Sequence, residues 1–129
     1  MSRIAHAFQH GKAFIGFVTG GDPSLDKSEE YILALIRGGA DLIEIGIPFS
    51  DPIAEGPVIQ AANLRALSAG TTIESIFSLV ARLRTQTDTP LVFLTYLNPV
   101  FRYGYAEFFS RCAEVGVDGV IIPDLPFEE

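Results

Sequence analysis

Residues 42–57, LIEIGIPFSDPIAEGP, hold the pattern that decides the fold. In an extended chain Ile43, Ile45 and Ile47 share one face, and Leu42, Glu44 and Gly46 share the other. The all-isoleucine face has to pack on helices. Glu44 is therefore expected on the inner side of the sheet, near its mouth, with apolar neighbours and a glycine leaving space beside it. Desolvation there raises a carboxyl pKa and suits the group to giving and taking protons near neutral pH. The alternative is a buried glutamate paired with an arginine or lysine from elsewhere in a larger barrel. The strand runs into a loop stiffened by Pro48, Pro52 and Pro57, which carries Asp51 and Glu55. Loop acids are commonly solvated or capping groups. A stiff acidic loop above a buried glutamate also fits two carboxyl groups converging on one substrate.

Working outward, three more β-branched or aromatic runs read as strands: FIGFVT (14–19), LVFLTY (91–96) and GVIIPD (119–124). Helical patterns lie between them. Asp26 with Glu29, and Thr71 with Glu74, have the spacing of a helix start in which side chains satisfy free N–H groups. The first of these helices is expected to end at Gly38-Gly39. The second carries Ile73, Ile76, Phe77, Val80 and Leu83 on one face, and Phe108, Phe109, Cys112 and Val115 cluster on a third. A shorter helix covers Ala61 to Ser68, closed by Gly70, and the leading MSRIAHAFQH forms another, packed by Ile4 and Phe8.

Strand and helix alternate from end to end, which right-handed crossovers turn into a parallel sheet covered by helices. The class is α/β. Each strand is followed by a turn-rich segment (GGDPS, PFSDP, NPVFRYG, DLPFEE) at its carboxyl end, where such sheets place their chemistry. The first turn, TGGDPS, lacks the glycine spacing that lays a pyrophosphate on a helix start, so a barrel fits better than a dinucleotide-binding sheet. A full (β/α)8 barrel takes about 250 residues. The 129 residues here make one domain, 1–129, equivalent to the first four strands of such a barrel, with the first and fourth strands as open edges.

Composition narrows the function classes. Nine basic against sixteen acidic residues give a net charge of −7, which opposes general attraction to nucleic acid or anionic lipid. The start resembles neither a signal peptide nor a transit peptide, and no apolar run reaches membrane-spanning length, so a cytoplasmic location is expected. The single cysteine, Cys112, makes no internal disulfide and reads as core. His6 and His10 fall on the first helix, far in sequence from the acids, so no metal site is expected. Phe17, Thr19, Leu94, Tyr96 and Ile121 share Glu44's side of the sheet if the strands pair in step. Leu94 and Ile121 fit core packing, whereas Phe17 and Tyr96, at strand ends, are placed to touch a flat aromatic ligand.

The segments FVTGGDP, IEIGIPFSDPIAEGPVIQAANLRAL, TYLNPVF and IIPDLPFEE resemble the tryptophan synthase alpha chain family over the whole length given, matching the N-terminal half of that family's barrel. The resemblance implies a lyase subunit, without a cofactor, that splits indole-3-glycerol phosphate into indole and glyceraldehyde 3-phosphate in tryptophan biosynthesis. It also implies a β chain that receives the indole in an α2β2 assembly. Glu44 then corresponds to the proton-shuttling glutamate, and Glu55 to a second acid that holds the indole N–H, where the family usually has aspartate. Phe17, Leu94, Tyr96 and Ile121 would line the indole pocket, with Thr19 and Asp124 nearby. Asp51, Pro52 and Asn98 would face the β chain. The family's phosphate-gripping residues fall outside the segment. Two rivals stay open: a non-catalytic half barrel that self-associates, and another phosphate-sugar barrel acting as an aldolase or isomerase.

Overall fold

The computed structural model describes residues 2–49 and 56–124. Four strands, β1 (Ile15–Thr19), β2 (Leu42–Gly46), β3 (Leu91–Leu94) and β4 (Gly119–Ile121), form one parallel sheet in the order β1-β2-β3-β4. Helix α1 (Arg3–Ala7) precedes the sheet. The crossovers that parallel pairing demands carry α2 (Leu25–Arg37), then α3 (Pro57–Ser68) with α4 (Ile73–Arg84), then α5 (Leu97–Tyr103) with α6 (Tyr105–Val115). The expected strands are all present; β1 begins one residue later than expected and ends at Thr19 as expected, while β2, β3 and β4 end earlier. Residues 97–103, expected within a turn-rich segment, form α5 instead.

Register places Phe17 beside Glu44, Glu44 beside Val92 and Val92 beside Gly119, while Gly46, Leu94 and Ile121 follow one step nearer the mouth. The outer face therefore carries Val18, Ile43, Ile45, Leu91 and Phe93, all buried against the helices with Ile32, Ile76, Leu79 and Phe108. Phe77 is the hub of this layer, with ring centroids 5.7 Å from Phe93 and 5.6 Å from Phe108. Of the face expected on α6, Phe108, Cys112 and Val115 are buried and Phe109 is exposed. The inner face is open: Ile15, Phe17 and Ile121 are 43%, 37% and 43% exposed.

The helix starts differ in detail from the sequence reading. Ser24, not Asp26, caps α2 by accepting from the Lys27 N–H, and Thr72 with Ser75, not Thr71 with Glu74, forms the reciprocal box on α4. Ser24 and Thr72 are the extended residues immediately before each helix, the position from which a hydroxyl reaches the free N–H groups; Asp26 is already inside α2, and Thr71 lies one residue too far from α4. Helix α3 starts at Pro57, four residues earlier than expected, because proline's fixed φ suits a first helical position. In α1, Phe8 is exposed; the packing contact comes from Ile4, which lies under Gly119.

The amino end of the sheet is held by a charge network. The largely buried Arg84 guanidinium donates to the carbonyls of Gly116 (2.9 Å), Thr87 (3.2 Å) and Thr89 (2.7 Å) and to the Asp118 carboxylate. Asp118 also accepts from the Leu91 N–H (3.0 Å) and from Arg3 (2.9 Å). Each buried charge is paired and hydrogen-bonded, which is the condition for tolerating it.

At the opposite end the β1–α2 turn is a close backbone contact. The Gly20 N–H donates to the Gly46 carbonyl at 2.8 Å, and the Gly21 N–H donates to Ser28 Oγ at 2.9 Å. Gly21 has φ +88°, and a Cβ there would overlap the Thr71 side chain. A positive φ and an overpacked contact together should make Gly21→Ala cost about 2–4 kcal/mol in urea unfolding. Gly38→Ala, at φ −80°, should change stability by less than about 0.5 kcal/mol.

Candidate active site

The carboxyl ends of the strands, where βα loops gather, carry most of the residues singled out from sequence. Phe17 and Leu94 project from the inner face, Tyr96 stands just beyond β3 as the residue capping α5, and Ile59 and Asn63 reach in from α3. Together they line a small cleft of about 20 Å3. A Cβ added to Gly46 would lie 3.0 Å from the Phe17 ring, so the room left by this glycine holds the aromatic side chain. The expected vacancy beside Glu44 is thus filled by Phe17. Tyr96 is buried, its ring centroid 5.7 Å from that of Phe49.

Glu44 lies on the same face, one side-chain layer down the strand from Gly46, between Phe17 on β1 and Val92 on β3. It is half-buried and not enclosed, because the concave face has no covering layer among the described residues. Among the described residues Glu44 takes part in no ion pair.

The remaining candidates are dispersed. Thr19 is buried at the end of β1, with its carbonyl accepting from the Asp22 N–H at 3.1 Å. Ile121 lies beside Leu94 on the inner face, away from the cleft lining, and is exposed. Asp124 accepts from the Leu97 N–H at 2.8 Å and so serves the amino end of α5. Asn98 is exposed in the first turn of that helix. Asp51, Pro52 and Glu55 lie outside the described residues.

Asn63 is the residue that sequence reasoning missed. It is buried in the stripe Ile59, Ala62, Asn63, Ala66, and the signal was available: an amide at helical spacing within an apolar face has a polar task, because burial of an amide is costly without a partner. Cys112 packs on the far side of the sheet, and burial pushes its thiol up to about 11, too high for a nucleophile at neutral pH. Among the described residues no cluster of three or more His, Cys, Asp or Glu could hold a metal ion, and no helix is long and apolar enough to cross a membrane.

Known proteins of this pattern share both sequence and geometry with the chain. A family model described as tryptophan synthase alpha chain matches residues 4–129. A tryptophan synthase alpha chain from Alkaliphilus metalliredigens is 58% identical over 134 residues, covering 100% of this chain and 50% of that protein. One from Lacticaseibacillus casei is 51% identical over 128 residues, covering 99% and 48%. The crystal structure of tryptophan synthase subunit alpha from Legionella pneumophila str. Paris superposes with a TM-score of 0.94 at 39% identity, over 100% of this chain and 52% of that one. The alignment to the tryptophan synthase complex from Pyrococcus furiosus has a TM-score of 0.84 at 41% identity, over 88% and 47%. The chain thus spans about half the length of the curated relatives it matches. On the family match across nearly its whole length, this chain belongs to the tryptophan synthase alpha chain family.

Proposed function

We propose that the chain supplies the proton-transferring half of a lyase barrel that splits indole-3-glycerol phosphate into indole and glyceraldehyde 3-phosphate. The observation that carries this reading is the half-buried Glu44 carboxylate on the concave face, outside the ion pairs of the described residues, with Phe17 beside it and an aromatic-lined cleft one layer above.

The chemistry needs one group that works in both directions. Carbon 3 of the indole has to gain a proton before its bond to the glycerol chain breaks. The hydroxyl on the carbon being released has to lose its proton as that carbon becomes the aldehyde. Glu44, protonated, delivers the first proton, and as carboxylate takes up the second, so the enzyme returns to its starting state. Phe17, Leu94 and Tyr96 hold the indole ring against the sheet, with Ile121, Thr19 and Asp124 at the margin of that pocket. Glu55 accepts the indole N–H as the ring becomes cationic.

A β chain is the proposed partner, reached through Asp51, Pro52 and Asn98. In support, Pro99, next to Asn98, helps line an apolar groove of about 560 Å3 with Pro48, Phe49, Leu67, Ile73 and Tyr103, a surface of the kind partners cover.

Indole release from indole-3-glycerol phosphate, by the protein as its reading frame encodes it, with and without a β chain, tests the reading and separates it from another phosphate-sugar barrel. Glu44→Gln should lower kcat by about 10²- to 10⁴-fold, and near-normal turnover would remove Glu44 from the mechanism. Glu55→Asp should preserve or raise the rate; a marked fall would show a loop tuned to the longer acid.

A second reading, a half barrel that associates with itself, draws on the exposed Ile15, Phe17 and Ile121 and on the open edges of β1 and β4. Sedimentation of the 129-residue chain should then show dimers or larger species, and a monomer at high concentration rejects it.

A further inference from the structure

Helix α3 provides two residues of the cleft wall, yet little of it is anchored by packing. Its buried residues are Ala62, Asn63 and Ala66, small side chains with limited apolar area, while Val58 and Leu64 are exposed. Gly56 caps its amino end without a side-chain hydrogen bond. With so little apolar anchoring, a restraint in addition to the partners of Gln60 and Asn63 sets where Ile59 and Asn63 lie.

That restraint is a two-bond ion pair. Arg65 Nε lies 2.8 Å from Asp22 Oδ1, and Arg65 Nη2 lies 3.0 Å from Asp22 Oδ2. Asp22 sits on the rigid β1–α2 turn: its N–H donates to the Thr19 carbonyl at 3.1 Å, its own carbonyl accepts from Ser28 Oγ at 3.4 Å, and the preceding Gly21 is wedged against Thr71. A planar fork bound through two parallel hydrogen bonds defines both the rotation of α3 about its axis and its shift along it, which a lysine ammonium cannot do. Arg65 is 55% exposed and Asp22 17%, so the pair contributes little to global stability and acts mainly on geometry.

We propose that Arg65 is a positioning residue for the candidate site: through Asp22 it holds α3 in the rotation that places Ile59 and Asn63 in the cleft wall. The proposal rests on the residues of that cleft forming one wall of the indole site proposed above. No contact between Arg65 and substrate is implied.

The test uses the protein as its reading frame encodes it, with indole as the probe. Arg65→Ala should weaken indole binding by about five- to tenfold and raise the KM for indole-3-glycerol phosphate, with Tm changed by no more than about 2 °C. Asp22→Asn should give a comparable loss, the double variant no further loss, and Arg65→Lys only partial recovery. Additive effects, or full recovery with lysine, overturn the proposal, as does a fall in Tm with indole affinity intact. If the unaltered protein neither binds indole nor cleaves the substrate, the reading of the site fails instead. Amide exchange across residues 59–63 then decides the present proposal: about tenfold faster exchange in Arg65→Ala supports it, and unchanged exchange overturns it.

Discussion

The burial of Ile43 and Ile45 against the helices is the constraint on which the rest of the structure depends. Side chains alternate strictly along a strand, so once these two face the helix layer, Glu44 has to face the concave side. A slip of one residue would drive a carboxylate into the core and turn two isoleucines toward solvent. Parallel pairing extends the same choice to the other strands: Val18, Leu91 and Phe93 follow the isoleucines, and Phe17, Val92 and Leu94 follow Glu44. The position of the acid is thus a consequence of hydrophobic packing on the opposite face.

The two ends of the sheet are built from different materials. At the amino end, Arg84 and Asp118 join α4 to β3 and β4, and Arg3 extends the network to α1. At the carboxyl end the backbone itself makes the contacts, with Gly20 on Gly46 and Gly21 against Thr71. Parallel α/β folds place chemistry at the carboxyl ends of strands, and stabilising networks at the other end leave that surface free to vary. The glycine pair in TGGDPS, which lacks the spacing of a phosphate cradle, serves this close approach of loops.

The concave face explains why Glu44 is half-buried instead of enclosed. On that face Leu42 and Val92 of the two central strands are buried, whereas Ile15, Phe17 and Ile121 of the two edge strands are not. The relatives are about twice as long as the chain, and four parallel strands lack the tilt and stagger that bring a sheet's two edges together. The environment of the acid is therefore set only partly by the residues described.

Much of the fold was legible because hydrophobic periodicity reports which face is buried. Four strands, their parallel order and the sides taken by Glu44, Phe17 and Leu94 all follow from alternation and from helices of sufficient length between strands. Local competition between side chains and backbone was not legible: Ser24 won the cap from Asp26, and residues 97–103 closed into a helix. Nor were contacts between residues distant in sequence. Asp22 meets Arg65, Arg84 meets Asp118, and Asn63 enters the cleft only because the crossovers bring α3 over the end of β1. Sequence alone determined which residues face inward, since that depends on local period. Tertiary structure decided how far Glu44 is covered and which side chains surround it, since solvation and pairing depend on elements that the chain brings together from far apart.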